Sequence, residues 1–196
     1  MANTTPKIIL ASSSPFRREL LARLEIPFEC ISPDIDESAK VGETPQQLVE
    51  RLSVEKAKAI ANNQPNALVI GSDQVAVHGD NIVGKPRDHE HAVEQLREAS
   101  GQTITLFTGL TLINSDSGNI QSEVVPYSVV FRELSNDMIE SYLKKEQPYN
   151  CAGSLKSEGL GIALLERFIG DDPSTLIGLP LIRLVRMLEL ESVKLI

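Results

Sequence analysis

The sequence has few residues of the kinds that build disulfide frameworks or thiol-based metal centres. Cys30 and Cys151 are its two cysteines, and its three histidines form no Cys/His group at zinc spacing. This argues against a disulfide framework and a zinc site, and it predicts two reduced, mostly buried thiols in a cytoplasmic protein. No Ser-His-Asp or Cys-His arrangement typical of nucleophilic hydrolases stands out.

The sequence also lacks a long apolar segment. The start, MANTTPKIIL, has no basic region followed by a long apolar run, so we expect neither a signal peptide nor a membrane-spanning helix. Internal repeats, low-complexity tracts and long linkers are absent too. The length of 196 residues, with 41% apolar and 23% charged, predicts a single globular domain, residues 1–196, that has room for two lobes.

Basic residues are in the minority, with 19 Lys and Arg against 27 Asp and Glu, giving a formal net charge of −8. Nucleic-acid polymers and anionic membranes attract basic surfaces, so we expect neither as the main partner. A small phosphate-bearing ligand needs only a local basic pocket, and an acidic chain can also bind it through a divalent cation. The charge is therefore compatible with a small-molecule nucleotide.

The apolar pattern predicts alternating strands and helices, followed by a long hairpin. Ser14 and Thr44 are predicted helix N-caps, and Gln47 completes a capping box with Thr44. This order predicts an α/β fold with a mixed, strongly twisted sheet. Strands are expected at 7–12, 28–33, 67–73, 103–114 and 120–134, with a hairpin around 79–80, and helices at 14–24, 44–61, 88–100, 135–146 and 180–190.

An arginine lies at the start of the first predicted helix, where the helix dipole disfavours a positive charge. Arg17 falls on the inward stripe of that helix, and Ser14 and Pro15 suit its N-cap and first position. The N–H groups beyond them and the forked guanidinium would together bind phosphate oxygens. A solvated Arg17 that bends away is the alternative, and this stretch does not decide between the two.

Two lysines also occupy positions that favour a ligand. Lys56 lies at the centre of the apolar face of the second predicted helix, which is costly unless its ammonium meets an anion or reaches solvent. The predicted hairpin places Lys85 opposite residue 74, beside Asp73 at the end of the strand ALVIGSD. Open α/β sheets commonly bind ligands at such strand ends, although a surface Asp–Lys pair is the alternative.

Two carboxylates complete this set of candidate residues. Asp73 and Glu37, the latter in the loop DIDES, carry oxygen ligands suited to a divalent cation. With Arg17, Lys56 and Lys85 they predict a cationic pocket with acidic metal ligands. Such a pocket suits a polyphosphate.

As an ordered set, the segments SSSPFRR, DES, VEKA, GSDQV, GKP, FTG and EGLGIALLERFIGDDPSTLIGLPL resemble the Maf family of nucleotide pyrophosphatases. The resemblance runs from about Lys7 to Met187. It implies an elongated α/β fold, similar to inosine triphosphate pyrophosphatases, with the site in a central cleft between two lobes, and it is compatible with a homodimer. The implied reaction is hydrolysis of a nucleoside triphosphate between the α- and β-phosphates, giving the monophosphate and pyrophosphate.

The resemblance also implies roles for individual residues. Asp73 is the general base for the attacking water or a ligand of the Mg²⁺, Mn²⁺ or Co²⁺ ion that activates it, and both roles stay open. Glu37 is a second candidate ligand of that metal ion. The resemblance also assigns Glu37, Lys56 and Lys85 to catalysis. It assigns Ser12, Ser14 and Arg17 to phosphate binding.

Three positions depart from the general family pattern and resemble the branch that hydrolyses 7-methyl-GTP. Phe16 stands where relatives have an arginine, Gln74 belongs to GSDQ where GADT is usual, and Glu158 replaces the glutamine of pyrimidine-specific members. A carboxylate accepts hydrogen bonds from the N1–H and N2 amino groups of guanine. Methylation at N7 makes the base cationic, which favours a carboxylate and the aromatic face of Phe16.

The function implied by these departures is hydrolysis of 7-methyl-GTP to 7-methyl-GMP and pyrophosphate, a house-cleaning role that removes modified nucleotides. A dTTP/UTP pyrophosphatase is one alternative. Another is a nucleotide-binding regulator of cell division with little catalysis. A solvated Glu158 and a Phe16 that only packs in the core are the structural alternatives for these side chains.

Overall fold

The computed structural model of the chain describes residues 6–196, so the first five residues of the predicted domain 1–196 lie outside the described part. The described residues form two compact units. The first unit contains the chain up to Gln74, together with Thr108–Val125 and Asp172–Ile196. The second unit contains Val75–Phe107 and Pro126–Asp171.

The sheet contains seven strands over residues 6–196: β1 (Lys7–Ala11), β2 (Glu29–Cys30), β3 (Ala67–His78), β4 (Asn81–Val83), β5 (Thr103–Asn114), β6 (Ile120–Phe131) and β7 (Leu165–Ile169). Their order is β2-β1-β3-β5-β6-β7, and β4 pairs with β3. The pairs β1–β2 and β1–β3 are parallel, whereas β3–β4 and β6–β7 are antiparallel. The predicted mixed α/β sheet is confirmed.

The helices of the described chain are α1 (Pro15–Ala22), α2 (Pro45–Ala61), α3 (His89–Ala99), α4 (Asn136–Glu146), α5 (Ser174–Ile177) and α6 (Leu181–Leu190). Five of them were predicted, whereas α5 and β7 were not. The predicted caps are confirmed, because Ser14 Oγ accepts from Arg17 N–H and Thr44 forms a reciprocal capping box with Gln47. The second predicted strand, 28–33, is reduced to the two residues of β2.

The strand β3 is longer than the pattern predicted. It continues for five residues beyond Asp73, so the prediction that Asp73 ends a strand is wrong. The predicted hairpin is confirmed, with His78 opposite Asn81 and a turn at 79–80. The last three residues of β3, Ala76, Val77 and His78, pair with β4, so the backbone stays extended past Asp73 instead of entering a loop.

The sheet of the first unit has a core on each face. Alternate residues of β1 point to opposite sides, so Ile8 and Leu10 join a cluster that includes buried leucines of α1 and α6. Ile9 and Ala11 join the other cluster, with Ala57 of α2. Both faces of β1 are therefore covered, which explains its unbroken apolar run.

The helix α2 lies very close to the sheet because two glycines make room for it. A methyl group at Gly71 of β3 would lie 2.1 Å from the Ser53 carbonyl oxygen, and one at Gly109 of β5 would lie 2.1 Å from the Val49 carbonyl oxygen. The Ser53 and Thr111 hydroxyls, 2.9 Å apart, hydrogen-bond across the same contact. The close approach brings side chains of α2 within reach of β3.

The prediction of two mostly buried thiols is wrong for Cys30. That residue is exposed on the edge strand β2, and Cys151 is half-buried. The pKa of the Cys151 thiol is raised, chiefly by burial, so it resists ionisation. Over the described residues, we find no helix with the length and apolar character needed to cross a membrane.

We expect Gly71→Ala to lower the free energy of unfolding by about 1–3 kcal/mol, because the added methyl overlaps the α2 backbone. Urea denaturation measures the change. Gly84→Ala is the control, since a methyl there meets nothing within 4 Å, and its effect should stay within about 0.5 kcal/mol. Equal stability of the two variants would contradict the close approach.

Candidate active site

Lys56 is buried between two carboxylates in the first unit. Its residue is 5% exposed, and its Nζ donates to Asp73 Oδ1 at 2.7 Å and lies 3.1 Å from Glu37 Oε1. Of the two alternatives that the sequence left open for this ammonium, the structure has the one in which it meets an anion and not the one in which it reaches solvent. Since both carboxylates are within reach of one nitrogen, α2, β3 and the loop after β2 converge at this point.

Arg17 lies near the same carboxylates. Its Nε donates to the Gly178 carbonyl oxygen at 2.9 Å, so the solvated alternative for Arg17 is excluded. Burial lowers the pKa of the guanidinium, and the charges of Asp73 and Glu37 oppose that shift. We call these four residues, Arg17, Glu37, Lys56 and Asp73, the Lys56 cluster. It contains two cationic and two anionic side chains.

The orientation of Arg17 depends on the segment 175–178, in which no site residue was predicted although it belongs to one of the family motifs. The Gly178 carbonyl also accepts from Ser72 Oγ at 2.9 Å. Gln74 Nε2 donates to the Thr175 carbonyl at 2.6 Å and to Thr108 Oγ1 at 2.8 Å. Side chains on either side of Asp73 in β3 therefore hold the segment 175–178, which in turn holds Arg17.

Gly178 suits this segment for a conformational reason. It follows α5 with φ of +117°, in the left-handed region that favours glycine, and a methyl there would lie 3.4 Å from Arg17 Nε. The sequence contains a signal for this turn, since TLIGLP has a glycine followed two residues later by proline. The long-range bonds to Ser72 and Arg17 have no local signal.

Gln74, which we predicted to contribute to substrate specificity, has both amide protons engaged by Thr108 and Thr175. Its carbonyl oxygen is therefore the group that can face a ligand. Of the other predicted specificity residues, Phe16 is half-buried at the start of α1. The contact of Phe16 with a base stays a prediction.

The start of α1 is partly capped from within. Ser12 Oγ accepts from Ser14 N–H at 3.1 Å, and Ser14 Oγ accepts from Arg17 N–H at 3.4 Å. The Arg17 N–H, one of the groups expected to bind an anion, is thus already used. Within the described chain neither hydroxyl donates a hydrogen bond, so both protons are available to phosphate oxygens.

Lys85 and Glu158 belong to the second unit. Lys85 is exposed two residues beyond β4, and Glu158 is exposed between two short 3₁₀ helices. Burial is the main cause of the raised pKa of Cys151, and the negative charge of Glu158 is the second. The positive charges of Lys156 and Lys85 lower that pKa. These charges therefore share one region of the second unit. The predicted proximity of Lys85 to Asp73 stays a prediction.

The carboxylates of the Lys56 cluster have the oxygen donors that Mg²⁺ and Mn²⁺ prefer. Among residues 6–196, however, no group of three His, Cys, Asp or Glu side chains is placed to hold a metal ion by itself. A cation at Asp73 and Glu37 would therefore take further oxygens from water or a bound phosphate. Sharing of this kind is common for Mg²⁺.

Comparison with known proteins agrees with this arrangement. The family model described as "Maf-like protein" matches residues 7–191. The chain belongs to the Maf family. The family resemblance expected from the sequence is thereby confirmed.

Curated relatives of this Maf chain are similar over nearly the whole length. Proteins named 7-methyl-GTP pyrophosphatase from Nitrosococcus oceani and Pseudomonas aeruginosa are each 56% identical to it, over 94% and 96% of the chain and 92% and 98% of the relative. A protein of the same name from Pseudomonas syringae pv. tomato is 57% identical over 96% of the chain and 98% of the relative.

We expect Gln74→Met to destabilise this Maf chain by about 1–3 kcal/mol, because the Thr175 carbonyl and the Thr108 hydroxyl lose their shared donor. Urea unfolding measures the loss. Gln46→Met, at an exposed position near the start of α2, is the control and should be close to neutral. If Gln74→Met is as stable as this control, the amide does not hold the segment 175–178.

Proposed function

We propose that this chain hydrolyses 7-methyl-GTP to 7-methyl-GMP and pyrophosphate, and that it removes modified nucleotides from the cell. The observation that carries the proposal is the Lys56 cluster, in which a buried lysine contacts a buried and an exposed carboxylate beside Arg17, in a chain of this family. The substrate follows from the names of relatives that are 56–57% identical. A cytoplasmic location and a homodimer stay predictions.

The cationic side chains would stabilise the triphosphate. Phosphoryl-transfer enzymes accelerate their reactions mainly by positioning the phosphates and by neutralising charge in the transition state. Arg17 keeps its NH1 and NH2 groups for phosphate oxygens, because its bond to Gly178 uses Nε. Lys56 supplies a second charge. Lys85 is assigned the same role by the family pattern.

The start of α1 would bind the same phosphates by neutral donors. The hydroxyl protons of Ser12 and Ser14 and the positive end of the helix dipole favour an anion at this point. Because Arg17 lies on the same helix, its charge and these donors can act on neighbouring phosphate oxygens. A bound triphosphate also relieves the unfavourable position of Arg17 near the helix start.

Asp73 would act on the attacking water. Lys56 holds its Oδ1, and no described residue donates a hydrogen bond to Oδ2, so Oδ2 is the oxygen for a water molecule or a cation. As general base it takes the proton of the water that attacks the α-phosphorus, and pyrophosphate leaves. As a metal ligand it places the ion that activates that water, and both roles stay open.

A divalent cation, Mg²⁺, Mn²⁺ or Co²⁺, fits Asp73 and Glu37. Their carboxylates are held close together by one ammonium, and they supply too few oxygens to complete a coordination sphere. When bound, the cation would neutralise phosphate charge and lower the pKa of a bound water. Lys56 would keep both carboxylates in place for it.

Glu158 and Phe16 would select the base. A carboxylate can accept both the N1–H and the N2 amino hydrogen bonds of guanine, and the exposed Glu158 side chain is available for this. The cationic 7-methylguanine ring also suits an aromatic partner, which Phe16 can provide. The remaining carbonyl oxygen of Gln74 is a further acceptor for the substrate.

We expect Asp73→Asn to lower turnover of 7-methyl-GTP at least ~100-fold, in line with the loss of a general base or a metal-activating carboxylate. Pyrophosphate release measures the rate, and circular dichroism checks the fold, which Asn should preserve because it has the same shape and Glu37, 3.1 Å from Lys56 Nζ, still compensates the ammonium. Asp80→Asn, in the exposed turn of the β3–β4 hairpin, is the matched control. Full activity of Asp73→Asn would remove Asp73 from the site.

The choice of base is tested with Glu158→Gln and a panel of 7-methyl-GTP, GTP, UTP and dTTP. Loss of a charged hydrogen bond, worth about 1.5–3 kcal/mol, should lower the preference for 7-methyl-GTP over UTP by about 10- to 150-fold. Glu166→Gln, an exposed carboxylate of β7, should leave that preference unchanged. The preference is the kcat/KM for 7-methyl-GTP divided by the kcat/KM for UTP.

The wild-type panel also separates the alternatives. Faster cleavage of UTP or dTTP than of 7-methyl-GTP would favour the pyrimidine pyrophosphatase. Tight nucleotide binding without pyrophosphate release, with Mg²⁺, Mn²⁺ and Co²⁺ each tried, would favour the regulator with little catalysis.

A further inference from the structure

A second dense group of charges lies in the first unit and has no part in the proposed chemistry. Arg51 of α2 binds both oxygens of Glu43, with Nε to Oε1 at 2.6 Å and NH2 to Oε2 at 2.9 Å, and it binds Glu55 at 2.9 Å. The Arg51 and Glu43 side chains are 15% and 9% exposed. Both are therefore well covered, although they lie in and beside a loop.

The guanidinium also reaches the loop that carries Glu37. Arg51 NH2 donates to the Ser38 carbonyl oxygen at 3.0 Å, so it holds the backbone of the residue directly after Glu37. Glu43 Oε2 in turn accepts from the Lys40 backbone N–H at 2.9 Å. We call these contacts, made by Arg51 and Glu43 to Ser38 and Lys40, the Arg51 clasp.

The clasp matters because it ties this loop to α2, alongside a weaker Lys40–Glu55 ion pair at 3.6 Å. No helix or strand is formed between β2 and α2 over residues 31–44, and the Glu37 side chain is 56% exposed. Glu37 nevertheless lies 3.1 Å from Lys56 Nζ. Arg51 and Lys56 stand on one rigid helix, so a backbone held by Arg51 is held at a set distance from Lys56.

The Glu43 carboxylate of the clasp is charged at neutral pH. The pKa of the Glu43 carboxyl is lowered to about 2, chiefly by the side-chain hydrogen bond from Arg51 and then by the Lys40 backbone N–H. Because this pKa is lower than the ordinary value of about 4.5, the Glu43 carboxylate stabilises the folded chain at pH values above 4.5. The stabilisation is lost as the pH falls from about 4.5 towards 2. At neutral pH the pair is therefore complete.

We propose that Arg51 is a positioning residue for the reaction, which acts by holding the Ser38 backbone so that Glu37 stays at Lys56 and Asp73. The inference rests on the proposed function, since it assigns Glu37 to the reacting site. Arg51 itself touches neither substrate nor metal ion. Its forked guanidinium is suited to the task, because it binds one carboxylate through two nitrogens and a backbone carbonyl at once.

The test is a double-mutant cycle with Arg51→Gln and Glu37→Gln, measured as kcat/KM for 7-methyl-GTP. We expect each single variant to lose at least tenfold, and Arg51→Gln to cost less than twofold once Glu37 is already Gln. The Mg²⁺ concentration for half-maximal rate should rise in both single variants. Arg51→Lys, which retains the charge without the fork, should recover part of the activity.

Hydrogen exchange supplies a readout independent of the proposed function. Arg51→Gln should speed amide exchange at least tenfold in a peptide covering 36–43, because the Lys40 N–H loses its partner when Glu43 is released. Arg183→Gln is the matched control, since Arg183 binds both oxygens of Glu123 at 2.6 and 2.8 Å but is remote in sequence from this loop. It should leave both the rate and the exchange of 36–43 unchanged.

The outcomes separate the two hypotheses. An inactive wild type on every nucleotide would overturn the proposed function, whereas additive losses in the cycle, or unchanged exchange of 36–43, would overturn the role of Arg51. If Arg51→Gln fails to fold, Glu43→Gln replaces it in the same cycle. Glu43→Gln keeps a side chain of the same shape but removes the negative charge that Arg51 binds. Additive losses or unchanged exchange in this variant would likewise overturn the role of Arg51.

Discussion

The contact between the Lys56 ammonium and two carboxylates is the interaction on which the site depends. A buried lysine is costly unless its charge is compensated, and removing either partner of a buried ion pair leaves the other charge unpaired. The helix α2, the strand β3 and the loop with Glu37 must therefore be in place together. The contacts that fold the first unit therefore also position the side chains of the site.

Two further constraints bring these elements together. Gly71 and Gly109 let the backbone of α2 approach β3 and β5, and Ser72 and Gln74 on either side of Asp73 hold the segment that carries Gly178. The arrangement follows because successive side chains of a strand point to opposite faces of the sheet. Residues 72 and 74 share one face of β3, whereas Gly71 and Asp73 share the face towards α2, so a single strand serves two groups of contacts.

Much of this could be predicted from local patterns. The unfavourable positions of Arg17 and Lys56 marked them as candidate site residues, because a charge at a helix start or on an apolar face needs a partner or access to solvent. The end of β3 was missed, since the polar residues Ser72, Asp73 and Gln74 look like a strand end although pairing with β4 continues the strand. Arg51 and Gly178 were missed because their decisive partners are distant in sequence or lie in a loop.

The charge balance of the Lys56 cluster has a consequence for association kinetics. Its two positive and two negative side chains cancel, and the chain as a whole carries −8, so the protein exerts little long-range attraction on the negatively charged triphosphate of a nucleotide. A nucleotide that arrives with its divalent cation carries less negative charge and meets a weaker repulsion. The ionic strength of the medium then affects the encounter mainly by screening that repulsion, and higher salt speeds association.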